Sequence, residues 1–350
     1  MAEKTAIVVG ASMAGLLAAR VLSEHFDRVT VVERDTLPDG PEIRSGVPQA
    51  RHVHALLVQG QHLLEEFFPG LSDELTESGA PRFTWCRDTC YFTPGGWIKR
   101  FDSKIQTNMI RRVDLEYRIR KRVSARQNVT FLTGRDVRGL LADDANLRVT
   151  GVEVTVRGTQ DVEQHTADLV VDCTGRGSKT PEWLAALGYD APRETSVKSY
   201  VGYATRMYKK PADAPDWTVL FINARSAEGN PRGAAIFDVG HGEWMVSLGG
   251  LNKEYPPTDD DGFMAFARKI PRLRWPRRFR APSRPARSSA IGSKAAACGI
   301  TIDSPAGRKG SSPWVTPCVR STRSMGRASP LRRSKPANLT RHSTGTARLI

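Results

Sequence analysis

The chain has 350 residues, 39 % of them apolar, enough to bury the core of one large domain or two. Its formal charge of +15 invites a nucleic-acid reading, but residues 272–350 hold 18 lysines and arginines against the single acid Asp303, leaving 34 basic and 36 acidic residues in positions 1–271. The basic character therefore belongs to the tail, and the body has the near-neutral balance of an ordinary globular protein. No run of about 18 apolar residues occurs and the start enters a strand directly, so neither a spanning segment nor a leader is expected and a cytoplasmic protein is.

The first element pair is a strand at Ala6–Val9 and a helical pattern at Leu16–Leu22, followed by a second strand at Val29–Val32. Gly10, Ser12 and Gly15 form the connecting turn. Gly10 permits the tight turn, a small residue at 12 lets backbone approach a pyrophosphate, and Gly15 allows close packing of helix on strand. The helix N-terminus then faces phosphates. Glu33, with Arg34 beside it, ends the second strand, where a carboxylate binds ribose hydroxyls and disfavours a 2′-phosphate. This order of elements predicts a dinucleotide site, although Ser12 adds a hydroxymethyl group where the motif usually has glycine.

Further along, IRSGVPQARHVHALLVQGQHLLEEFFPGL (43–71), the helix IRRVDLEYRIRKRV (110–123) and DLVVDCTGRGSKTPEWLAALGY (168–189) stand in order. Together these blocks resemble FAD-dependent oxidoreductases related to para-hydroxybenzoate hydroxylase and geranylgeranyl reductase, over about residues 4–271. The resemblance implies an α/β fold: a Rossmann-like FAD-binding domain at 1–190, carrying part of the substrate-covering region at about 72–105, and a mainly antiparallel β-sheet substrate domain at 191–271. It implies that Arg112 contacts the diphosphate or ribityl region, that Arg44 and Gln49 lie near the cofactor, and that Asp172 and Gly175 end a strand abutting the adenosine and pyrophosphate. Read from the residues alone, Arg112 could equally be a solvated helix charge and Arg44 a loop charge, and position 111 is Arg where the family usually has Ser.

The same resemblance implies a monooxygenase that uses FAD, takes electrons from NADH or NADPH, and acts with O2 on an aromatic, polyketide-like or isoprenoid small molecule. An isoprenoid reductase is the alternative within that fold. A halogenase fits less well, because the Trp-x-Trp-x-Ile-Pro motif is absent and GGWIKR (95–100) does not replace it. In such enzymes the cofactor carries the chemistry, so no catalytic side chain is assigned.

The remaining candidates have bland readings beside functional ones. His52 and His54 are a packed or substrate-facing pair, since a metal would need a third ligand that the sequence does not place. The five cysteines, Cys86 and Cys90 included, are expected to be reduced thiols without metal. Asp88 and Asp114 have no partner at a spacing that argues for acid/base work. Alternating strands in 196–250 carry Tyr200, Tyr203, Phe237 and Trp244, which either line an aromatic pocket or pack the core.

The tail, 272–350, has no periodicity and is expected to be a disordered basic segment. As a nucleic-acid arm it offers arginines at 277–280 but few aromatics, only Trp275, Phe279 and Trp314, so binding would be phosphate-driven and salt-sensitive; no nucleic-acid partner is expected. A more specific reading is a shifted frame. Taking the third base of each codon with the first two of the next, residues 312–329 can spell AVGDAVC-x-FDPVYGQGVT, with glycine forced at Trp314 and again at Met325 because those codons are unique. Residues 306–311 and 281–292 yield further family-like blocks. The expectation is that the Gly-Asp and Gly-rich segment that closes the FAD domain is encoded out of frame, leaving this chain unstable and poor at holding FAD.

Overall fold

The structure is a computed structural model that describes residues 2–145, 148–190, 192, 200–224 and 229–273, with the backbone of two short strands beyond them. The chain begins with strand β1 (Thr5–Val9), helix α1 (Met13–Leu22) and β2 (Arg28–Glu33). A 3-10 turn at Pro48–Arg51 leads to α2 (Val58–Phe67) and α3 (Leu71–Glu77), then to β3 (Arg82–Thr84), β4 (Thr89–Thr93), β5 (Gly96–Trp97) and β6 (Gln106–Asn108). Helix α4 (Arg112–Ser124) is followed by β7 (Val129–Thr133), β8 (Arg135–Ala142), β9 (Val149–Val156), β10 (Val162–Thr166) and β11 (Leu169–Asp172). Then come α5 (Thr180–Ala186), β12 (Gly202–Lys209), β13 (Val219–Ile222), β14 (Arg232–Asp238), β15 (Glu243–Gly250) and α6 (Asp260–Arg268), with β16 (Ser289–Gly292) and β17 (Val315–Pro317) last. Arg277–Arg280, Trp275, Phe279, Trp314 and most of the shifted-frame blocks lie outside the described residues.

Two sheets organise the molecule. The first is parallel, in the order β17-β11-β1-β2-β7. Strand β1 is buried on both faces, which is why it reads as an unbroken apolar run rather than an alternation. On one face α1 and α4 bury Leu16, Ala19, Leu115, Ile119 and Val123 against Val8 and Val31. On the other, the antiparallel meander β8-β9-β10 covers Ile7, Val9, Val32 and Val170 with Val149, Val152 and Val154. The expected first helix begins three residues earlier than its apolar pattern, at Met13, so the turn from β1 is only Gly10 to Ser12.

The second sheet is mixed and mainly antiparallel, in the order β16-β12-β15-β14-β13-β4-β5. Strand β4, from the segment between α3 and α4, joins β13 in parallel register, so the sheet draws on two distant stretches of chain. Cross-strand partners give its two faces. Ala204, Val246, Ile236 and Leu220 point toward α6, where Phe263, Phe266 and Ile270 bury them. Asp259 caps that helix, accepting a hydrogen bond from Gly262 N–H at 2.7 Å. Phe237, Val219 and Met245 point the other way, packing with Phe83 and Met109.

This separates the four aromatics that the sequence grouped. Phe237 and Tyr203 stand on the face away from α6, because each is a cross-strand neighbour of Met245 or Gly249. Trp244 lies on the α6 face, fully buried and stacked on Trp217 at 5.0 Å between ring centres. Tyr200 is exposed in the loop before β12 with the Lys253 ammonium 5.1 Å from its ring. They therefore do not line one pocket, since residues of odd and even parity on paired strands occupy opposite faces. Truncating Trp244 to Ala is expected to lower stability by about 3–5 kcal/mol through the cavity left beside Trp217. Tyr203→Ala, on a half-exposed ring, is expected to cost about 1 kcal/mol or less. Urea unfolding of the two variants checks both values.

Candidate cofactor site

The glycine turn is a place of very close approach. Gly10 has φ +101°, and a Cβ there would sit 2.9 Å from the carbonyl oxygen of Cys173 on the neighbouring strand β11. A Cβ on Gly15 would lie 1.7 Å from the carbonyl oxygen of Gly10. Both positions thus exclude any side chain, one for conformation and one for packing. Gly10 N–H donates to Val32 O at 2.8 Å and Cys173 N–H to Val9 O at 2.8 Å, fixing the turn between β2 and β11.

Helix α1 starts from this turn with no side-chain cap and no acidic residue in its first turn. Its first N–H groups therefore present partial positive charge that nothing within the helix neutralises. Ser12 does not cap them. Its hydroxyl donates to Glu116 Oε2 at 2.8 Å and accepts from Arg112 at 3.0 Å, so the side chain is drawn toward α4. The hydroxymethyl group that interrupts the glycine motif is a tether between the two helices.

Behind the turn lies a buried ion network. Arg44, 8 % exposed, pairs with Glu33 at 2.9 Å, Asp35 at 3.2 Å and Glu116 at 2.9 Å, and also donates to Ala11 O at 2.9 Å. Desolvation pulls the Arg44 guanidinium down, but Glu33 and Glu116 outweigh it and hold the group above its ordinary range. Arg112, which pairs with Glu116 at 3.5 Å, is pulled below its ordinary value by burial, with Glu116 opposing. Its Nε is the atom that makes this long contact with Glu116. Arginine stays charged in either case.

The expected residues divide accordingly. Gly10, Ser12, Gly15, Glu33, Arg44 and Arg112 converge on one turn although their sequence separations reach 100 residues. Glu33 is buried, accepting from Ala11 N–H at 2.7 Å and Asp35 N–H at 2.9 Å, so its carboxylate also holds the turn in shape. Arg34 is exposed at the rim, its Nε approaching Gly46. Gln49 is exposed in the 3-10 turn. Strand β11 does abut the turn through Cys173, but the Asp172 carboxylate accepts from Thr174 N–H at 2.8 Å, Thr180 Oγ at 2.7 Å and Ser178 Oγ at 2.5 Å. It organises the loop 174–180, in which Gly175 takes φ +71°. Sequence reading missed Glu116 and Asp35; the i,i+4 spacing of Arg112 and Glu116 on α4 was the available signal for the first.

Away from the turn, Asp88 accepts from Thr84 N–H at 2.7 Å and pairs with Arg87, and Asp114 pairs with Arg111, so both are local braces. Among the described residues no cluster of His, Cys, Asp or Glu is arranged to hold a metal ion, and no helix is long and apolar enough to cross a membrane. His54 contacts the backbone oxygen of His52 at 2.8 Å. His52 itself is buried against the second sheet, its Nδ1 2.8 Å from Thr205 Oγ1. Burial pushes its imidazole down to about 4, with His54 and Arg51 adding to the effect.

With this geometry in view, the class of fold is clear: across most of its length the chain shares the fold of FAD-dependent halogenases and monooxygenases. It is similar to the flavin-dependent brominase Bmp2, with TM-score 0.60, 12 % identity, and coverage of 82 % of this chain and 66 % of that one. It is similar also to p-nitrophenol 4-monooxygenase PnpA from Pseudomonas putida DLL-E4, with TM-score 0.57, 18 % identity, and coverage of 82 % and 68 %. In sequence it is 34 % identical over 277 residues to protein Rv3254 of Mycobacterium tuberculosis (strain ATCC 25618 / H37Rv), a stretch that is 76 % of this chain and 57 % of that protein. The chain thus spans little more than half the length of this curated relative. No family model matches.

Two outcomes test the site's physics. Arg44→Met leaves three buried carboxylates without their shared cation and is expected to cost about 3–5 kcal/mol in urea unfolding. His52 has a folded pKa below its unfolded value, so protons bind the unfolded chain more readily. Its contribution to stability is complete above pH 6.5 and is lost as pH falls toward 4, reaching about 3 kcal/mol. The difference in pH-dependent unfolding between the parent chain and His52→Gln measures that loss.

Proposed function

We propose that this chain is an FAD-dependent monooxygenase acting on an aromatic, polyketide-like or isoprenoid small molecule, with NADH or NADPH as electron donor. The observation that carries the reading is the uncapped start of α1, approached by backbone at Gly10 and Gly15 and faced by Arg112 across Ser12. A diphosphate needs these parts: N–H donors, room for close approach, and a cation. Gly10 and Gly15 let β1 turn straight into α1, which bares the helix N–H groups, and Arg112 stands beside Ser12 at that helix start. The residues present therefore fit the cofactor.

In this reading Gly10, Ser12 and Arg112 hold the diphosphate, while Glu33 and Arg34 attend the ribose and adenine end. Gln49 and the residues ending β11 complete the surroundings. When bound, FAD supplies electron transfer and oxygen activation. The protein's part is to bind, orient and exclude water. Bmp2 is a flavin-dependent brominase and PnpA a p-nitrophenol 4-monooxygenase. The missing tryptophan motif favours the second chemistry, and an isoprenoid reductase remains the runner-up.

The tail enters the proposal as a shifted frame of the segment that closes the cofactor domain. Supporting it, residues 312–329 are those that spell Gly-Asp and Gly-Gln-Gly when shifted. Restoring that frame in the gene is expected to give a yellow protein with about one FAD per chain, whereas the 350-residue chain holds far less. A 350-residue product that retains FAD stoichiometrically would show the tail reading to be wrong. In the frame-restored protein, NAD(P)H-driven O2 uptake stimulated by substrate supports the monooxygenase, and anaerobic turnover the reductase. Arg112→Met is expected to weaken FAD binding at least ~10-fold through loss of a charge-assisted hydrogen bond, read by flavin fluorescence titration.

A further inference from the structure

The short strand β5 closes one edge of the second sheet, and the chain after it runs to β6 as an irregular loop. Four large apolar side chains in residues 97–105, Trp97, Ile98, Phe101 and Ile105, are 45–57 % exposed. The polar side chains between them do the opposite. Arg100 turns back to donate to the carbonyl of Arg87 and to pair with Asp216 at 2.9 Å, and the Ser103 hydroxyl donates to the carbonyl of Trp85. Ile98 N–H donates to Tyr91 O at 2.9 Å and Ile105 O accepts from Trp85 N–H at 2.8 Å, so the backbone is braced as well. The loop is held in a form that reverses the usual sorting, with polar groups tied inward and apolar ones in water. Single exposed apolar residues need no partner, but four in one braced loop mark a contact surface.

Two further features say what this surface meets. Beside Trp97 an apolar cavity of about 230 Å³ opens on the α6 side of the sheet, walled by Trp97, Trp217, Leu220, Ile236 and Cys90, with the exposed Arg272 among its lining residues. Cations accompany both: Lys99 and Lys104 in the loop and Arg272 at the cavity are exposed and form no ion pair among the described residues. Against them stand Asp102 and Asp216, and the second is already paired with Arg100. A second copy docked about a twofold axis would bring these cations onto their own kind. An anionic lipid surface answers both features. Its phosphates suit lysine and arginine, whose stems lie along apolar surface, and its acyl chains suit the aromatic and branched groups.

We propose that the β5 loop is a membrane-docking surface that seats Trp97, Ile98, Phe101 and Ile105 among the acyl chains of an anionic phospholipid bilayer, with the cavity beside Trp97 open to one such chain. The contact is peripheral, since no helix among the described residues is long and apolar enough to cross a membrane. Lys99, Lys104 and Arg272 hold the headgroups. Docking of this kind sets the chain where sparingly soluble small molecules concentrate. It stands without the flavin reading, because it shares no residue with the glycine turn.

Flotation through a sucrose gradient tests this with the purified 350-residue chain, because vesicles rise while aggregated protein sinks. The chain is expected to rise with vesicles of phosphatidylcholine and phosphatidylglycerol in about a 2:1 ratio, and much less with phosphatidylcholine alone. The basic tail is itself drawn to anionic lipid, so point variants of the loop carry the test. Ile98→Asp and Phe101→Asp, at exposed positions, should each lower the partition coefficient at least ~10-fold with unchanged far-UV circular dichroism. Lys99→Glu combined with Lys104→Glu should do the same. Val162→Asp, at an equally exposed apolar position on β10 in a different sheet, should change it less than ~2-fold. Bromine on the acyl chains should quench tryptophan fluorescence, and Trp97→Phe should lessen that quenching. No flotation with either vesicle, equal flotation of the parent and the loop variants, or a loss in Val162→Asp as large as in Phe101→Asp would overturn the proposal. So would a concentration-dependent dimer that Phe101→Asp dissolves while flotation stays unchanged, which would make the loop a contact between copies. Flavin content measured on the same samples tells failure of the cofactor reading apart from failure of this one.

Discussion

The close contact between the Gly10 carbonyl and the backbone of Gly15 is the constraint on which the first domain depends. A parallel strand and the helix that follows it can pack this tightly only where no Cβ intervenes, and Gly10 meets the same limit against Cys173 on β11. The turn is therefore short, the helix begins at once, and its N–H groups emerge at the carboxyl end of the sheet, the usual place for ligands in open α/β folds. Everything assembled around the turn is arranged to hold that geometry without adding bulk.

The buried charges follow from it. A turn of three residues leaves the N–H and C=O of Ala11 outside any ladder, and buried backbone groups require partners. Glu33 takes the N–H and Arg44 the C=O. Once buried, each charge needs its opposite, which brings in Asp35 and Glu116, and Glu116 in turn reaches Ser12 and Arg112. Arg44 is thus an internal clamp that shapes the site, while Arg112 stands one step nearer the helix start, bonded to Ser12 and paired with Glu116. Two arginines equally prominent in the sequence differ because one is surrounded by three carboxylates and the other pairs with Glu116.

The second sheet shows how strand alternation sorts side chains between two faces. Alternation along β12, β14 and β15 sends one parity to α6 and the other toward Phe83, Met109 and His52, the residue that follows the 3-10 turn. Trp244, the largest buried side chain, belongs to the structural side, and its neighbour in sequence Met245 to the other. Cross-strand pairing then places Thr205 opposite Ser247, and the two hydroxyls together reach a histidine more than 150 residues away in sequence.

What the sequence determined alone is what local forces decide: the β-α-β order, from apolar runs of strand length and a helical period; the turn, from glycines; and the alternation of the second sheet. Tertiary structure alone decided which face of that sheet meets α6, that Ser12 tethers α1 to α4, that Asp172 serves its own loop, and that Arg44 meets three carboxylates. Those outcomes depend on pairing energies between groups that are distant along the chain, and a buried charge or hydroxyl finds its partner only after both have left water.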